Sequence, residues 1–299
     1  MEYKKCNLCP RKCDADRSNG NSGVCGVAGQ GIYVTRAALH MWEEPCISGE
    51  TGSGTVFFSG CPLKCVYCQN YHIAHAETGK EIEVTRLAEI FLELQEKGAA
   101  NINLVTPTHY TPEIVCAVKC AKERGLELPI VYNCSGYESV DTLKMLEGIV
   151  DIYLTDFKYM DSAIAKKYSK AENYPEIAKK ALEEMVRQTK EAEFDANGMM
   201  KRGVIVRNLL LPGFVNNSKD VVKYVYETYG DEVFLSLMNQ YTPLPQVEKN
   251  FPELARKVTE EEYDELVDYA IEIGVENGFI QEGETASESF IPAFDGEGV

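Results

Sequence analysis

Basic residues are scarce in this sequence, and long apolar runs are missing altogether. Of 299 residues, 30 are Lys or Arg against 47 Asp or Glu, a formal net charge of −17. Such a chain repels phosphate backbones and anionic lipid. That excludes general binding to nucleic acid or a membrane surface and leaves room only for a local basic pocket. No apolar run approaches the ~18 residues that a spanning helix needs. The opening stretch, MEYKKCNLCPRKC, has no apolar core of a secretory signal. The expectation is a cytoplasmic protein with no membrane and no nucleic-acid partner. Internal repeats and low-complexity segments are also lacking.

What is present suffices for a large core, since 44% of the chain is hydrophobic. Residues 1–50 are rich in Gly, Cys and turn residues and show little period, as in a small segment organised by a metal. Further on, strands read at 55–60, 102–107, 129–133, 151–158, 203–213 and 232–241 alternate with helices at 83–98, 112–125, 139–148, 175–190 and 218–230. A last helix, at 259–274, leads into an acidic, Gly-containing end. Six strands alternating with helices predict parallel βαβ units, too few to close a standard barrel. The expected fold class is α/β, a partial (βα)6 barrel over 51–245. A cysteine-rich metal-binding segment (1–50) precedes it, and a C-terminal helix with an acidic tail (246–299) follows. In parallel folds of this kind the chemistry sits at the C-terminal strand ends.

Eleven cysteines are an odd number, and with no export signal they do not read as a disulfide scaffold. Eight of them fall within the first 68 residues at short spacings, which points to metal. Directly after the first predicted strand, FFSGCPLKCVYCQNYHIAH places Cys61, Cys65 and Cys68 in a C-x3-C-x2-C pattern. Three thiolates on one loop can hold three corners of a [4Fe–4S] cluster and leave the fourth iron open to a small molecule. Gly60 lets the chain turn out of the strand, and Tyr67 sets an aromatic ring beside the third thiolate. Zinc, held by the same cysteines with His72 or His75, is the competing reading of the spacing alone.

This C-x3-C-x2-C motif, with an aromatic before its last cysteine, resembles the signature of the radical S-adenosylmethionine superfamily. The resemblance implies a [4Fe–4S] cluster and S-adenosylmethionine as cofactors, and reductive cleavage of the latter to a 5′-deoxyadenosyl radical that abstracts hydrogen. Within the superfamily the chain resembles the pyruvate formate-lyase activating-enzyme-like branch. By that match YNCSGY brings Asn133 and Ser135 (with Cys134 between them) to the cofactor, TDFK brings Asp156 and Lys158, and VIVRNLLLPG brings Arg207. NQY (239–241) ends the last strand with polar groups suited to adenine or substrate. Lys158 stands with the three cysteines as a catalytic candidate. The plainer readings are an ion pair for Asp156 and Lys158, and an anchor for an acidic loop in Arg207. Where activating enzymes carry Gly-Gly-Glu, this chain has Thr106, Thr108 and His109, whose hydroxyl and carbonyl groups can accept ammonium hydrogens instead. The substrate implied is a protein, of glycyl-radical-activating type, or else a peptide or small molecule. The implied reductant is of the flavodoxin or ferredoxin type.

A second set, Cys6, Cys9, Cys13 and Cys25, is spaced C-x2-C-x3-C-x11-C and can close either a zinc site or a second [4Fe–4S] cluster. Cys46 reads as a buried free thiol, and Cys116 and Cys120 as core positions of one helix face. The rival to an enzyme is a non-catalytic metal protein, an iron–sulfur electron carrier or a zinc-stabilised regulatory module. Such a protein has no need of some 190 residues of βα architecture with polar strand ends.

Overall fold

The structure, a computed structural model, describes residues 4–281 and 292–299. Residues 282–291, in the expected C-terminal extension, lie outside the described residues. Among the described residues there are ten strands: β1 (Ile32–His40), β2 (Ser53–Phe58), β3 (Lys80–Ile82), β4 (Ile102–Val105), β5 (Ile130–Cys134), β6 (Ile152–Asp156), β7 (Glu193–Phe194), β8 (Met200–Leu209), β9 (Phe234–Met238) and β10 (Gly278–Ile280). They form one sheet in the order β10-β9-β8-β6-β5-β4-β2-β1-β3, with β7 paired to β8. From β2 to β10 along this path every neighbour is parallel. The six predicted strands are β2, β4, β5, β6, β8 and β9, in sequence order, and the α/β class with a parallel sheet is as expected.

Four strands escaped the sequence reading: β1, β3, β7 and β10. Residues 32–40, taken there for part of a period-poor segment, form β1 and pair antiparallel with β2. Period-2 alternation is blurred because both faces of β1 are largely covered, with burial interrupted only at Tyr33, Arg36, Leu39 and His40. β3 and β10 have three residues each and β7 has two, too few for a periodic signal.

The parallel strands alternate strictly between two environments. One face meets the helices. Val84–Glu96, for example, buries Leu87, Ala88, Ile90, Phe91 and Leu94 along one stripe. The other face lines the barrel interior, where Val131, Ile152, Leu154 and Ile205 form a small apolar floor. Cys46 and Ile47, from the short helix Pro45–Ser48 in the β1–β2 connection, pack into that floor. Because β1 runs antiparallel to β2, with His40 opposite Ser53, this connection starts at the N-terminal end of the parallel strands. It therefore fills the barrel from below, held by the Asn101 Nδ2 bond to the Ile47 carbonyl at 2.7 Å. Cys46 is indeed a buried free thiol. Cys116 is exposed and Cys120 only half-buried, contrary to the expectation of core positions. The helix Thr111–Glu123 buries Ile114, Ala117, Val118 and Ala121, which leaves the Cys116 side outward.

Candidate active site

After β2 the chain turns at Gly60, where φ is +89°. A Cβ there would stand 2.6 Å from Val27 Cγ2 and 2.9 Å from the Cys25 carbonyl oxygen, so glycine is required twice over. The loop that follows brings Cys61, Cys65 and Cys68 to the wall of one cavity. Arg11 fastens this loop by donating to the carbonyls of Pro62 at 2.8 Å and Leu63 at 3.3 Å. Hydrogen bonds already point at two of the sulfurs: the Leu63 amide approaches Cys61 Sγ at 3.4 Å and Ser169 Oγ approaches Cys65 Sγ at 3.1 Å. Ser169 bonds the Tyr159 hydroxyl at 2.7 Å, and Tyr159 in turn bonds the Tyr67 hydroxyl at 2.6 Å. Tyr67 thus lines the cavity and locks the loop through its far end.

Burial pushes the Cys61 thiol up to about 11 and the Cys68 thiol up to about 12. Bare thiolates are costly here, and a cationic iron cluster supplies the compensation that the donor set lacks. The zinc alternative loses its fourth ligand. His72 is exposed and paired with Glu77 at 2.7 Å, and His75 bonds the Tyr71 carbonyl at 2.9 Å and stacks on the Tyr71 ring. The trio fits a cluster.

The rest of the cavity, of about 360 Å³, is polar at the strand ends. Arg207 in β8 donates from Nη1 to Glu43 Oε2 at 3.0 Å and from Nη2 to Asn133 Oδ1 at 2.6 Å. Its Nε stands 3.3 Å from Asp156 Oδ1 in an ion pair, and Lys158 Nζ lies 2.6 Å from Asp156 Oδ2. Burial works against the charges of Asp156, Lys158 and Arg207, yet their partners win. Asp156 is held below the usual carboxylate range by Lys158 and Arg207, and Lys158 is held above the usual lysine range by Asp156 and the Cys65 sulfur. Both plain readings of these residues are therefore real, an ion pair and an anchor for an acidic loop, and both occur inside the cavity.

Residues 55–213 match the family model of the Radical SAM superfamily. The chain belongs to that superfamily. Its fold, its cysteine motif and the [4Fe–4S] cluster and S-adenosylmethionine that the family uses are those the sequence reading anticipated. Two uncharacterised proteins of Methanocaldococcus jannaschii are similar along most of the chain. MJ0674 is 27% identical over 90% of this chain and 75% of its own length, and MJ0808 is 24% identical over 86% and 78%. Among solved structures, Streptococcus suis SuiB bound to S-adenosylmethionine overlaps with a TM-score of 0.51 at 13% identity, over 77% of this chain and 52% of SuiB. Methylornithine synthase (PylB) overlaps with a TM-score of 0.50 at 14% identity, over 87% and 66%. The chain spans about half the length of SuiB, and at these identities the likeness is one of fold. None of these comparisons singles out the activating-enzyme-like branch.

In this radical SAM chain most of the residues expected at the cofactor do meet. Cys61, Cys65, Cys68, Tyr67, Thr106, Asn133, Ser135, Asp156, Lys158 and Arg207 all line the cavity. Thr106 has φ +59°, strained for a β-branched residue, and its amide donates to the Asn133 carbonyl at 2.9 Å. Of NQY, Gln240 lines the cavity, whereas Tyr241 turns away to the Leu254 carbonyl. His109 is not at the cavity wall. It is buried behind the cysteine loop, where its Nε2 lies 2.8 Å from the Ser59 carbonyl, and burial pushes its ring down to about 4. A neutral imidazole there braces the turn at Gly60. Thr108 is likewise set back, donating to Glu138 at 2.9 Å.

Sequence reasoning missed Glu43 and Glu44. They reach the cavity from below on the β1–β2 connection. Glu43 Oε1 also accepts from Asn103 Nδ2 at 2.8 Å and Asn133 Nδ2 at 3.3 Å. Glu44 Oε2 is buried with no hydrogen-bond partner among the described residues, and burial raises its carboxyl above the usual range, with Arg207 opposing and Glu43 adding to the shift. The only trace in the sequence was two adjacent acids ahead of a proline in a segment without period.

Cys6, Cys9 and Cys25 are buried and Cys13 half-buried. The Cys25 carbonyl accepts the Cys61 amide at 3.2 Å, so the N-terminal cysteine segment abuts the loop of Cys61, Cys65 and Cys68.

Proposed function

We propose that the protein is a radical SAM enzyme that abstracts hydrogen from a peptide or protein substrate. The observation that carries the reading is one cavity lined both by Cys61, Cys65 and Cys68 and by the Glu43–Arg207–Asp156–Lys158 chain. When bound, the cluster supplies the electron that splits the sulfonium of S-adenosylmethionine, giving methionine and the 5′-deoxyadenosyl radical that takes the hydrogen atom.

The residues of this chain bind, orient and exclude water. Lys158 and Arg207 face the cofactor's carboxylate, while Glu44, with its free oxygen, and Glu43 suit its ammonium group in place of the absent Gly-Gly-Glu acid. Asn133 and Ser135 offer amide and hydroxyl groups to the ribose hydroxyls. Thr106 presents backbone at the same wall, Tyr67 seals the cluster side, and His109 holds the loop from behind. The rim carries exposed Trp42 and Ile280, apolar contacts suited to a polypeptide chain. SuiB, similar in fold, has been seen bound to its precursor peptide SuiA. A glycine of a partner protein, as in the activating enzymes, is one form of such a substrate. The electron donor in this proposal is a low-potential carrier of the flavodoxin or ferredoxin type.

The test is 5′-deoxyadenosine release from anaerobically prepared protein given S-adenosylmethionine and dithionite, alone and with candidate peptides. Product from the wild type and none from Cys65→Ala is the expected result. An iron-loaded protein whose cluster spectrum is unmoved by S-adenosylmethionine would overturn the reading.

A further inference from the structure

We propose that Cys6, Cys9, Cys13 and Cys25 hold a second cluster of the [4Fe–4S] class, seated against the catalytic cysteine loop. Four thiols lie within 20 residues in a segment with little else to bury: Leu8 is the one buried aliphatic neighbour grouped with Cys6. The sulfurs of Cys13 and Cys25 face one spot, and Cys6 and Cys9 lie close enough to Cys25 to act on it electrostatically. A Cβ at Gly23 would stand 3.0 Å from Cys13 Sγ and 3.6 Å from Cys25 Sγ, so glycine keeps open a space between two of the thiols. Backbone bonds fold the segment around it, from the Cys6 amide to Ala15 at 3.0 Å, from Asp14 to the Cys6 carbonyl at 3.2 Å and from Lys12 to the Cys9 carbonyl at 3.1 Å.

Charge fits as well. In a chain of net charge −17, residues 4–17 carry five cationic side chains (Lys4, Lys5, Arg11, Lys12, Arg17) against two acids (Asp14, Asp16). That local excess offsets the net negative charge of a four-thiolate centre. Iron–sulfur is favoured over zinc by room and by place. Glycine at 23 keeps the side of the site at Cys13 and Cys25 clear of a side chain, space that a cubane needs and a single zinc ion does not. The site also lies against the cysteine loop of a chain whose family already carries a [4Fe–4S] cluster.

The seat explains what the segment does for the enzyme. Cys25 bonds the backbone of Cys61, and Gly60 packs on the Cys25 carbonyl. Between Cys9 and Cys13, Arg11 reaches the carbonyls of Pro62, Leu63, Ser169 and Lys170. Filling the N-terminal site thereby fixes the loop that carries the catalytic trio.

Iron, acid-labile sulfide and zinc, counted on anaerobically purified protein, test the proposal independently of any activity. About eight irons and eight sulfides per chain are expected for the wild type. About four of each should remain in a Cys61/Cys65/Cys68→Ala variant and be lost when Cys9→Ser is added. One zinc, or no metal, in the variant lacking the catalytic trio overturns the proposal. If that variant fails to fold, the wild type decides: four irons per chain, with or without a zinc, overturns it, and eight sustains it.

Discussion

Arg207 on β8 and Glu43 on the β1–β2 connection meet at 3.0 Å across 164 residues of sequence, both largely buried. This contact ties the plug beneath the barrel to the wall of the cavity above it. Losing one partner of a buried pair leaves the other charge uncompensated, at a cost of about 3–5 kcal/mol. Arg207→Ala strands Glu43 and leaves Asp156 with Lys158 alone, and should show a loss of that size in denaturant unfolding. Glu43→Gln should cost less, because Arg207 keeps Asp156 at 3.3 Å. Equal losses from the two substitutions would contradict this ordering.

Gly60→Ala should cost the protein its catalytic iron while leaving the sheet intact. The new methyl meets a backbone carbonyl as well as Val27 Cγ2, so trimming the latter with Val27→Ala should not rescue it. Iron content and far-ultraviolet circular dichroism check the two halves of the statement. A variant with wild-type iron would show that the loop can shift after all.

Ser169 Oγ stands 3.1 Å from Cys65 Sγ. Hydrogen bonds to cluster sulfurs favour the reduced, more negative form and raise the reduction potential. Ser169→Ala should therefore move the catalytic cluster to a more negative potential, read by a redox titration followed by electron paramagnetic resonance. An unchanged potential would mean that the hydroxyl serves only Tyr159.

Glu138 is buried between Thr108 and Tyr132, and burial raises its carboxyl to about 8 against an ordinary value near 4.5. The folded chain keeps a proton that the unfolded chain has lost. Stability therefore falls as pH rises from about 4.5 to about 8, at up to ~1.4 kcal/mol per pH unit for one group. Glu138→Gln should remove that slope and gain most on the wild type near pH 8. Parallel stability curves for the two proteins between pH 5 and 8 would rule this out.

Much of the site was legible because its parts follow strands. Cys61, Cys65 and Cys68 follow β2, Asn133 sits in β5, Asp156 and Lys158 close β6, and Arg207 lies in β8, so strand-end logic and local motif sufficed to find them. Glu43 and Glu44 were not legible in this way. They reach the cavity only because β1 runs against β2 and delivers their loop to the underside of the barrel, and no local period records that pairing. His109 shows the converse. Its place just beyond a strand end suggested the cofactor, but the chain after Thr106 turns at positive φ and carries the imidazole behind Gly60.

The sequence by itself determined the class of chemistry and the order of the parallel strands, since thiol spacing and hydrophobic period are local properties that survive in one dimension. Tertiary structure decided which charges share the cavity. The partners of Arg207 come from β5, β6 and a distant plug, and only closure of the sheet brings them within hydrogen-bonding reach. It also decided that Cys25, of the N-terminal cysteines, bonds the backbone of Cys61, a contact that spacing along the chain could not reveal.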